Sequence, residues 1–552
     1  MLVTLAHQSS SDEPFELFAL ESNPDNPPVI EVEVHQRLRA FLREQGEPLW
    51  PHHLTMGRLV ARALRLERSV LIQTGALSST HQGRYRLSYL VPVLMWPGPV
   101  ILVVSEAIQQ RLLRVEIPQL RQWIQTHKPI RTGDSWPEEN FQGLLITSPE
   151  RWIADRFAQQ KRFPSGVLTI IDGVDDLESQ VLDHLTTCVR ARDWEDLMLA
   201  CPDKSDLIRN IRVQLTHSVF QHPANPYECY VLEPSEYNWL LQLHEGLTGL
   251  ALSSGETPDL GCFPEIWQRF WQCFISESSL LWVTVSRQFG QFSLHGGPIT
   301  VADSLATIWP KQPVVLIGSA LDSESEAPTY RQRVGLGDIT SLKFAPDRHH
   351  ELIQLYLPDG VPMPNTVQFQ PALLHEIRKL LTVSAVTQGV TVLLIGDVPL
   401  KAQIGSILAS EFGSRVQVEK TCLDDNGILI TGWQFWHRHQ DVLPAPRLLV
   451  VATLPIPSLE DPIVAGRVNY YKRHRQDWFR LYLLPEAINE LQRAVAPVRD
   501  NQGVVALLDS RVIHRSYGQQ ILAALSPLAR INYLDPTLFG QVDSPTDLID
   551  DG

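Results

Sequence analysis

The chain has 552 residues, of which 44% are hydrophobic and 20% charged, and this length is too great for a single hydrophobic core. Its 62 acidic residues outnumber its 47 Lys and Arg, giving a formal net charge of −15 that disfavours nucleic-acid binding outside a local basic groove. No run of about 18 apolar residues predicts a transmembrane helix, so no membrane partner is expected.

The N-terminus and the cysteines bear on the compartment. The first residues lack the basic segment of a signal peptide and include several acidic side chains. The six cysteines show no Cys-x-x-Cys pairing, so we interpret them as reduced thiols. These two features together predict a cytoplasmic protein.

The first third of the chain alternates helical and strand patterns. Residues 1–35 combine short apolar runs with a Pro- and Asn-rich loop and are predicted to be an N-terminal appendage. Helical spacing of Leu, Val and Ala follows at 34–44 and 54–67. The short apolar runs that come next are 70–72, 100–104, 144–146 and 167–171. Such strands, separated by helical segments, predict a parallel α/β sheet buried on both faces.

The middle of the chain has a different pattern. Leu-, Trp- and Glu-rich stretches over 180–300 predict a mainly helical insertion, with few strand signals before 280–283. The sheet resumes at 314–317, and a second α/β series runs from 390 to 508. The sequence therefore predicts two α/β domains with a helical insertion in the first. The predicted boundaries are 36–179 with 301–320 for the first domain, 180–300 for the insertion, 321–540 for the second domain and 541–552 for an acidic tail.

Four segments near the C-terminus form a recognisable series. They are the pair Phe435-Trp436, the strand end Leu454-Pro455, the helix start Leu484-Pro485-Glu486-Ala487, and the run from Gln492 to Arg499. The series resembles the last third of the DinG/XPD-type superfamily 2 helicases, where such segments close an ATP cleft. The resemblance extends over roughly residues 45–530. It implies two RecA-like domains, ATP and Mg²⁺ as cofactors, and single-stranded or forked DNA as a partner.

The phosphate loop of that family is altered in this chain. Gly75 follows the first strand, and Gly83-Arg84-Tyr85 stands where the family has Gly-Lys-Ser/Thr. The family's Lys contacts the β- and γ-phosphates and its hydroxyl holds Mg²⁺, whereas a planar guanidinium or a tyrosine does not fit those positions. The resemblance makes Gly75, Gly83 and Arg84 candidate nucleotide contacts. Two interpretations follow: a phosphate site of altered affinity, or a surface loop that binds no nucleotide.

The motifs that act on the phosphates are also incomplete. Asp172 matches the Mg²⁺-side carboxylate of the family's Asp-Glu-Ala-His motif, but Gly173 replaces the Glu that positions the attacking water. Gln492 and Arg499 match the ends of the family's Gln…Gly-Arg-x-x-Arg helix, which implies nucleotide contact for Gln492 and a catalytic role for Arg499. Each altered contact typically costs about 10²-fold or more in rate.

Other metal centres are not predicted. Iron–sulfur members of the family carry four cysteines between the phosphate loop and the Asp-Glu motif, and this chain has none between Gly75 and Asp172. The histidines at 349–350 and at 437 and 439 have no partners at zinc-ligand spacing.

A basic cluster with interleaved aromatic residues is the best local candidate for nucleic-acid contact. Lys472, Arg473 and Arg475 lie between Tyr470 and Trp478. Cations bind phosphates and aromatic rings stack on bases, so the cluster suits a single strand. The alternative interpretation is a helix with a solvated basic face and a buried aromatic face.

Three functional hypotheses remain at this point. The first is a degenerate helicase-family protein that binds DNA or a protein partner and hydrolyses ATP weakly or not at all. The second is an active ATP-dependent DNA helicase. The third is a protein-interaction scaffold with no nucleic-acid role, which the acidic net charge favours.

Overall fold

The computed structural model describes residues 29–45, 50–75, 85–158, 161–249, 262–319, 321–345, 352–385, 388–440, 442–535 and 539. Two seven-stranded parallel sheets lie within these residues and confirm the predicted class of two parallel α/β domains. Most of the predicted appendage (1–28) and the predicted acidic tail lie outside the described residues. No described helix is long and apolar enough to cross a membrane.

The first domain begins with a helical hairpin and continues as alternating strands and helices. Its elements up to the insertion are α1 (Ile30–Gln45), α2 (His53–Leu66), β1 (Val70–Gln73), α3 (Arg86–Met95), β2 (Val100–Val103), α4 (Glu106–Arg111), α5 (Ile117–Ile124), β3 (Ile130–Thr132), β4 (Leu144–Thr147), α6 (Pro149–Phe157), β5 (Thr169–Asp172) and α7 (Leu177–Leu185). The residues of β1, β2, β4 and β5 are all buried, because α1, α2, α3 and α5 cover one face of the sheet and α6 and α7 cover the other.

The insertion combines helices with an antiparallel sheet. Its elements are β6 (Thr187–Val189), α8 (Ala191–Ala200), α9 (Ser205–Gln221), β7 (Cys229–Val231), α10 (Pro234–Thr248), α11 (Glu265–Phe274), β8 (Ser279–Ser286) and β9 (Gln291–Pro298). The strands pair in the order β6-β9-β8-β7, a sheet that the sequence analysis did not predict. Trp194, Trp267 and Trp271 form the core beneath this sheet. The three-residue strands β6 and β7 are too short to give a clear alternating pattern.

The chain then returns to the first domain. The returning elements are α12 (Ala302–Ala306), β10 (Val314–Gly318), α13 (Pro328–Arg333) and β11 (Thr340–Lys343). The completed sheet has the order β11-β1-β10-β5-β2-β4-β3.

The second domain repeats the parallel architecture. Its elements are β12 (Ile353–Tyr356), α14 (Phe369–Ser384), β13 (Thr391–Leu394), α15 (Val398–Phe412), β14 (Val416–Val418), β15 (Ile428–Thr431), α16 (Trp433–His439), β16 (Leu448–Val451), α17 (Pro462–Arg473), α18 (Leu484–Asp500), β17 (Val504–Leu507), α19 (Arg511–His514), α20 (Gly518–Ala524) and β18 (Leu528–Ile531). The strand order is β14-β15-β13-β16-β17-β12-β18. Helix α17 also packs against β7 and β8 of the insertion.

The first domain begins earlier and ends later in the structure than the sequence predicts. Helix α1 begins at Ile30, and Val34 is fully buried in the domain core, so residues 30–35 belong to the domain and not to an appendage. Strand β11 pairs in parallel with β1, which extends the domain to Phe344, beyond the predicted limit at 320. The sequence signal for β11 is weak because this edge strand, Thr-Ser-Leu-Lys, has no fully buried residue.

The extended boundary gives a stability test at Gly335, which follows α13. Its φ is +61°, and an added Cβ would lie 2.1 Å from the carbonyl oxygen of Ala302. We expect Gly335→Ala to destabilise the first domain by about 1–3 kcal/mol or more, because both the backbone conformation and the contact with α12 are strained. Gly337→Ala is the matched control, since its Cβ has no neighbour within 4 Å. Urea unfolding followed by tryptophan fluorescence measures both variants, and equal midpoints would contradict the expectation.

Candidate functional site

Three neighbouring strands of the first domain end at the same edge of the sheet. Strands β1, β10 and β5 are adjacent and parallel, so Gly75, Ser319 and Asp172 lie close together at their carboxyl ends. The amide of Gly75 donates to the carbonyl of Ser319 at 2.8 Å. Gly75 has a φ of +108°, which a glycine adopts without strain where the chain leaves β1. This edge faces α18 of the second domain.

The carboxylate of Asp172 is fully engaged by the start of α3. Tyr85 donates its hydroxyl to Oδ1 at 2.6 Å, and Tyr89 donates its hydroxyl to Oδ2 at 2.9 Å. The Nε of Arg86 donates to Oδ2 at 3.1 Å. The side chains of Asp172 and Arg86 are 1% and 4% exposed, so the ion pair is buried.

The electrostatics of this cluster follow from its burial. Burial, reinforced by the negative charge of Asp172, raises the pKa of both tyrosines well above the ordinary value, so they remain hydrogen-bond donors. Burial opposes the charge on Arg86, but the attraction of Asp172 outweighs it and raises the pKa of the guanidinium. Asp172 is therefore neutralised by a cation that belongs to the chain itself.

The carboxylates after β5 are each committed to another contact. Asp175 accepts hydrogen bonds from the amide of Ser319 at 3.1 Å and from its hydroxyl, and burial raises the pKa of Asp175. Gly173, where the family's Glu is expected, has a φ of +96° and forms the turn between β5 and these acids. No described residue fills the space in which a side chain at 173 would lie.

Ion pairs connect this segment to the second domain. Arg493 of α18 bonds to Asp176, and Asn489, one turn earlier, donates to the carbonyl of Asp175 at 3.3 Å. Arg333 of the first domain contacts Glu178 at 2.7 Å and Glu486 of α18 at 2.6 Å. The two domains are thus bridged by side chains on both sides of the cleft.

A cavity of about 370 Å³ remains between the domains. Gly75, Asp175 and Asp322 line it on the side of the first domain, and Ile488 and Gln492 line it on the side of the second. Lys343 also borders it, but its ammonium donates to the carbonyls of Asp322 and Ser323 at 2.6 and 3.0 Å. No group of His, Cys, Asp and Glu within the described ranges is arranged to hold a metal ion.

The two predicted residues of the second domain, Gln492 and Arg499, lie on different sides of α18. Gln492 borders the cavity and donates its amide to the carbonyl of Ala524 at 2.9 Å. Arg499 is 2% exposed and donates to the carbonyl of Leu525 at 2.7 Å, away from the cavity lining. Arg493, which the sequence analysis did not select, is the arginine that reaches the first domain.

The candidate nucleotide contacts of the loop are distributed differently. Gly75 borders the cavity, whereas Gly83 and Arg84 lie outside the described residues. Tyr85 is the loop residue that reaches Asp172. Tyr89, the second tyrosine that bonds to Asp172, is signalled in the sequence by its four-residue spacing from Tyr85, because residues four apart share one face of a helix.

The basic cluster lies where the second domain meets the insertion. Lys472 and Arg473 end α17, and Arg475 follows with a φ of +56°; all three are exposed. The ammonium of Lys472 lies 5.3 Å from the ring centroid of Trp478. Arg480, five residues after Arg475 in the sequence, borders the interdomain cavity.

Comparisons with known proteins agree with this architecture. The helicase C-terminal domain family matches residues 444–528. The chain is 25% identical over 264 residues to the ATP-dependent DNA helicase YoaA of Haemophilus influenzae, covering 45% of this chain and 41% of that protein. It is 29% identical over 108 residues to the ATP-dependent DNA helicase YoaA of Escherichia coli, covering 19% and 17%. The matched stretches span less than half of either relative.

Solved structures show the same fold over most of the chain. An XPD helicase and the Xpd4 protein of S. tokodaii each superpose with a TM-score of 0.54 at 12% sequence identity. Each comparison covers 87% of this chain and 99% of the other chain. Taken with the sequence matches, the shared fold agrees with the resemblance of this chain to the DinG/XPD-type helicases of superfamily 2.

Proposed function

We propose that this protein is a nucleic-acid-associated member of its family in which ATP hydrolysis is weak or absent. The relatives that share its sequence are named ATP-dependent DNA helicases, which supports DNA as the partner. The observation that carries the statement on ATP is the engagement of both Asp172 oxygens by Tyr85, Arg86 and Tyr89.

The family implies ATP and Mg²⁺, but the described residues do not fit the metal in this arrangement. Mg²⁺ requires oxygen ligands at about 2.0–2.1 Å in octahedral geometry. The Tyr85 hydroxyl lies 2.6 Å from Oδ1 of Asp172, which leaves no room for an ion between them. Release of Asp172 toward a metal would separate it from the buried Arg86, and breaking a buried ion pair costs about 3–5 kcal/mol.

The remaining catalytic positions support the same proposal. Gly173 brings no carboxylate to position a water, and Asp175 is bonded to Ser319. Arg499 donates to backbone carbonyls instead of facing the cleft. Arg493 faces the cleft, but its charge is balanced by Asp176.

For nucleic acid, we propose weak, salt-sensitive binding of single-stranded or forked DNA through Lys472, Arg473 and Arg475. Their exposure and the neighbouring Trp478 ring suit phosphate contact with base stacking. A protein partner at the same junction is the scaffold alternative. The six free cysteines support a reducing compartment such as the cytoplasm.

The ATPase prediction compares the parent with Asp172→Ala. We expect Mg²⁺-dependent phosphate release from ATP, with and without single-stranded DNA, to be equally low in both proteins, because Asp172 does not hold a metal. A phosphate-release assay measures this. Phosphate release by the parent at a rate typical of helicases, abolished in Asp172→Ala, would establish the active-helicase alternative.

A second prediction tests the structural role of Asp172. Asp172→Asn keeps the shape of the side chain but removes the negative charge that pairs with the buried Arg86, so we expect a loss of about 3–5 kcal/mol in the free energy of unfolding. The double variant Asp172→Asn/Arg86→Met should recover most of it.

The matched control for that experiment is Asp134→Asn. Asp134 pairs with Arg162 at 3.3 Å, and both side chains are more than half exposed. An exposed pair contributes about 0–1 kcal/mol, so this variant should unfold like the parent. Urea unfolding measures all three variants. Equal stability of Asp172→Asn and Asp134→Asn would rule out the buried ion pair.

The single-strand prediction uses the Lys472/Arg473/Arg475→Ala variant. We expect weaker binding and a salt dependence flattened by about 0.7 for each phosphate contact removed. Fluorescence anisotropy across a salt series measures both. The control changes Lys379, Arg415 and Lys420, which are equally exposed, to Ala. Identical binding by the cluster variant and the parent would leave the cluster a solvated helix face and favour the scaffold alternative.

A further inference from the structure

Helices α1 and α2 carry a concentration of arginine that the proposed nucleotide and single-strand sites do not use. The stretch 29–75 contains seven Arg and no Lys, and all seven are exposed. The same stretch has five acidic residues, Glu31, Glu33, Glu44, Glu47 and Glu67. The hairpin is therefore locally basic in a chain whose net charge is −15.

The packing of the two helices places several of these arginines on one side of the hairpin. Arg65 of α2 pairs with Glu31 at the start of α1 at 2.6 Å, which fixes the helices as antiparallel. The charge of Arg62 also acts on Glu31. Near the middle of the hairpin, burial and the positive charges of Arg58 and Arg39 lower the pKa of His35. Arg39, Arg58 and Arg62 thus flank the same seam between the two helices.

We name Arg39, Arg43, Arg58 and Arg62 the arginine face. Arg43 lies one turn beyond Arg39 on α1, and Arg62 one turn beyond Arg58 on α2, so each pair is separated by about 6 Å along its helix. Within the described part of the chain these four arginines form no ion pair. The positive charges of these four guanidinium groups repel one another, and an anionic ligand relieves that repulsion.

The side chains of the arginine face suit contact with phosphate groups and not with bases. Guanidinium groups bind phosphate oxygens in a bidentate manner. Neither helix exposes Phe, Tyr or Trp: Phe41 of α1 is 6% exposed, and Trp50, which precedes α2, is 7% exposed. A surface without exposed rings cannot stack on unpaired bases, in contrast to the cluster around Trp478. Its fit is to a nucleic acid whose bases are already stacked inside a duplex.

We propose that the arginine face binds the phosphodiester backbone of duplex DNA. This inference rests on the proposed association with DNA and adds a second, separate surface to it. The single strand binds the cluster at 472–475, and a double-stranded arm binds α1 and α2. Binding at the arginine face is independent of base sequence, because only phosphates are within its chemistry.

The experiment uses the full chain and the variant Arg39→Gln/Arg58→Gln/Arg62→Gln. Fluorescence anisotropy with a short blunt duplex and with a single strand, across a salt series, measures the two kinds of binding separately. For the duplex we expect about tenfold weaker binding or more, and a salt dependence flattened by about 0.9 for each phosphate that is no longer neutralised. Single-strand binding should stay within about twofold of the parent, because the cluster at 472–475 is unchanged.

The control variant Arg151→Gln/Arg192→Gln/Arg209→Gln changes the net charge equally at exposed positions elsewhere. An equal reduction of duplex binding in this control would overturn the proposal, because total charge would then explain the effect. Both variants should have the unfolding temperature of the parent, because exposed side chains contribute little to stability, and this measurement excludes misfolding.

Other outcomes separate this inference from the proposed single-strand function. Unchanged duplex binding in the arginine variant overturns the inference and leaves the single-strand proposal standing. If the parent binds the duplex but not the single strand, and the variant binds neither, the inference is supported and the single-strand proposal is overturned. Binding of poly-glutamate that is abolished in the variant while duplex binding persists would assign the face to an acidic protein and overturn the inference. A parent that binds neither DNA overturns both.

Discussion

The buried ion pair between Asp172 and Arg86 fixes the relation between the end of β5 and the start of α3. Two charges removed from water are stable together only when each keeps its partner and the remaining lone pairs are bonded. Tyr85 and Tyr89 complete that requirement by donating to the two carboxylate oxygens. The carboxylate of Asp172 is balanced here by the guanidinium of Arg86, a cation that belongs to the chain itself. Its charge is present from the moment the domain folds and does not change with a ligand.

The segment after β5 extends the same principle across the cleft. The bonds from Asp175 to Ser319 and from Glu178 to Arg333 stay within the first domain. The pairs Asp176–Arg493 and Arg333–Glu486 cross the cleft to α18. The two ion pairs that cross the cleft are similarly exposed. Arg493 and Asp176 are 13% and 42% exposed, and Arg333 and Glu486 are 13% and 44% exposed. Isolated pairs of that kind contribute about 0–1 kcal/mol each. Among the described residues, several modest interactions therefore join the two domains.

The sequence predicts the parts of the fold that are buried on both faces. The four-residue runs of β2, β4 and β16 are wholly apolar or nearly so, because helices cover both sides, and such runs are visible without a structure. Strand β11 is different. It lies at the sheet edge with polar residues and is defined by its partner β1 and not by its own pattern. The same holds for the short strands of the insertion, whose pairing joins residues far apart in the chain.

The site shows the same division. Asp172 was identifiable because it ends an apolar strand, a property of the local sequence. The choice between Arg493 and Arg499 was not, because both lie on α18 and only tertiary packing decides which one faces the first domain. Glu486, Asn489 and Arg493 recur at three- and four-residue spacing along that helix and share the side toward the cleft. Arg499 lies almost two turns beyond Arg493 and meets backbone carbonyls instead. The sequence therefore indicated a candidate helix, but not which of its side chains face the cleft.

Charge is the property for which the whole-chain value says least about function. The net charge of −15 sums residues that lie tens of ångströms apart, whereas exposed charges act over a screening length of about 10 Å at 0.1 M salt. Over that distance the hairpin of α1 and α2, with seven Arg against five Glu in residues 29–75, presents a positive surface whatever the rest of the chain carries. The basic cluster at the end of α17 is separate in the sequence and differs in kind, since it combines cations with the Trp478 ring. An acidic chain with two such surfaces is attracted to a polyanion only where these surfaces meet it, and repelled elsewhere. The salt dependence of binding, measured in variants that alter one surface at a time, therefore reports how many phosphates each surface neutralises.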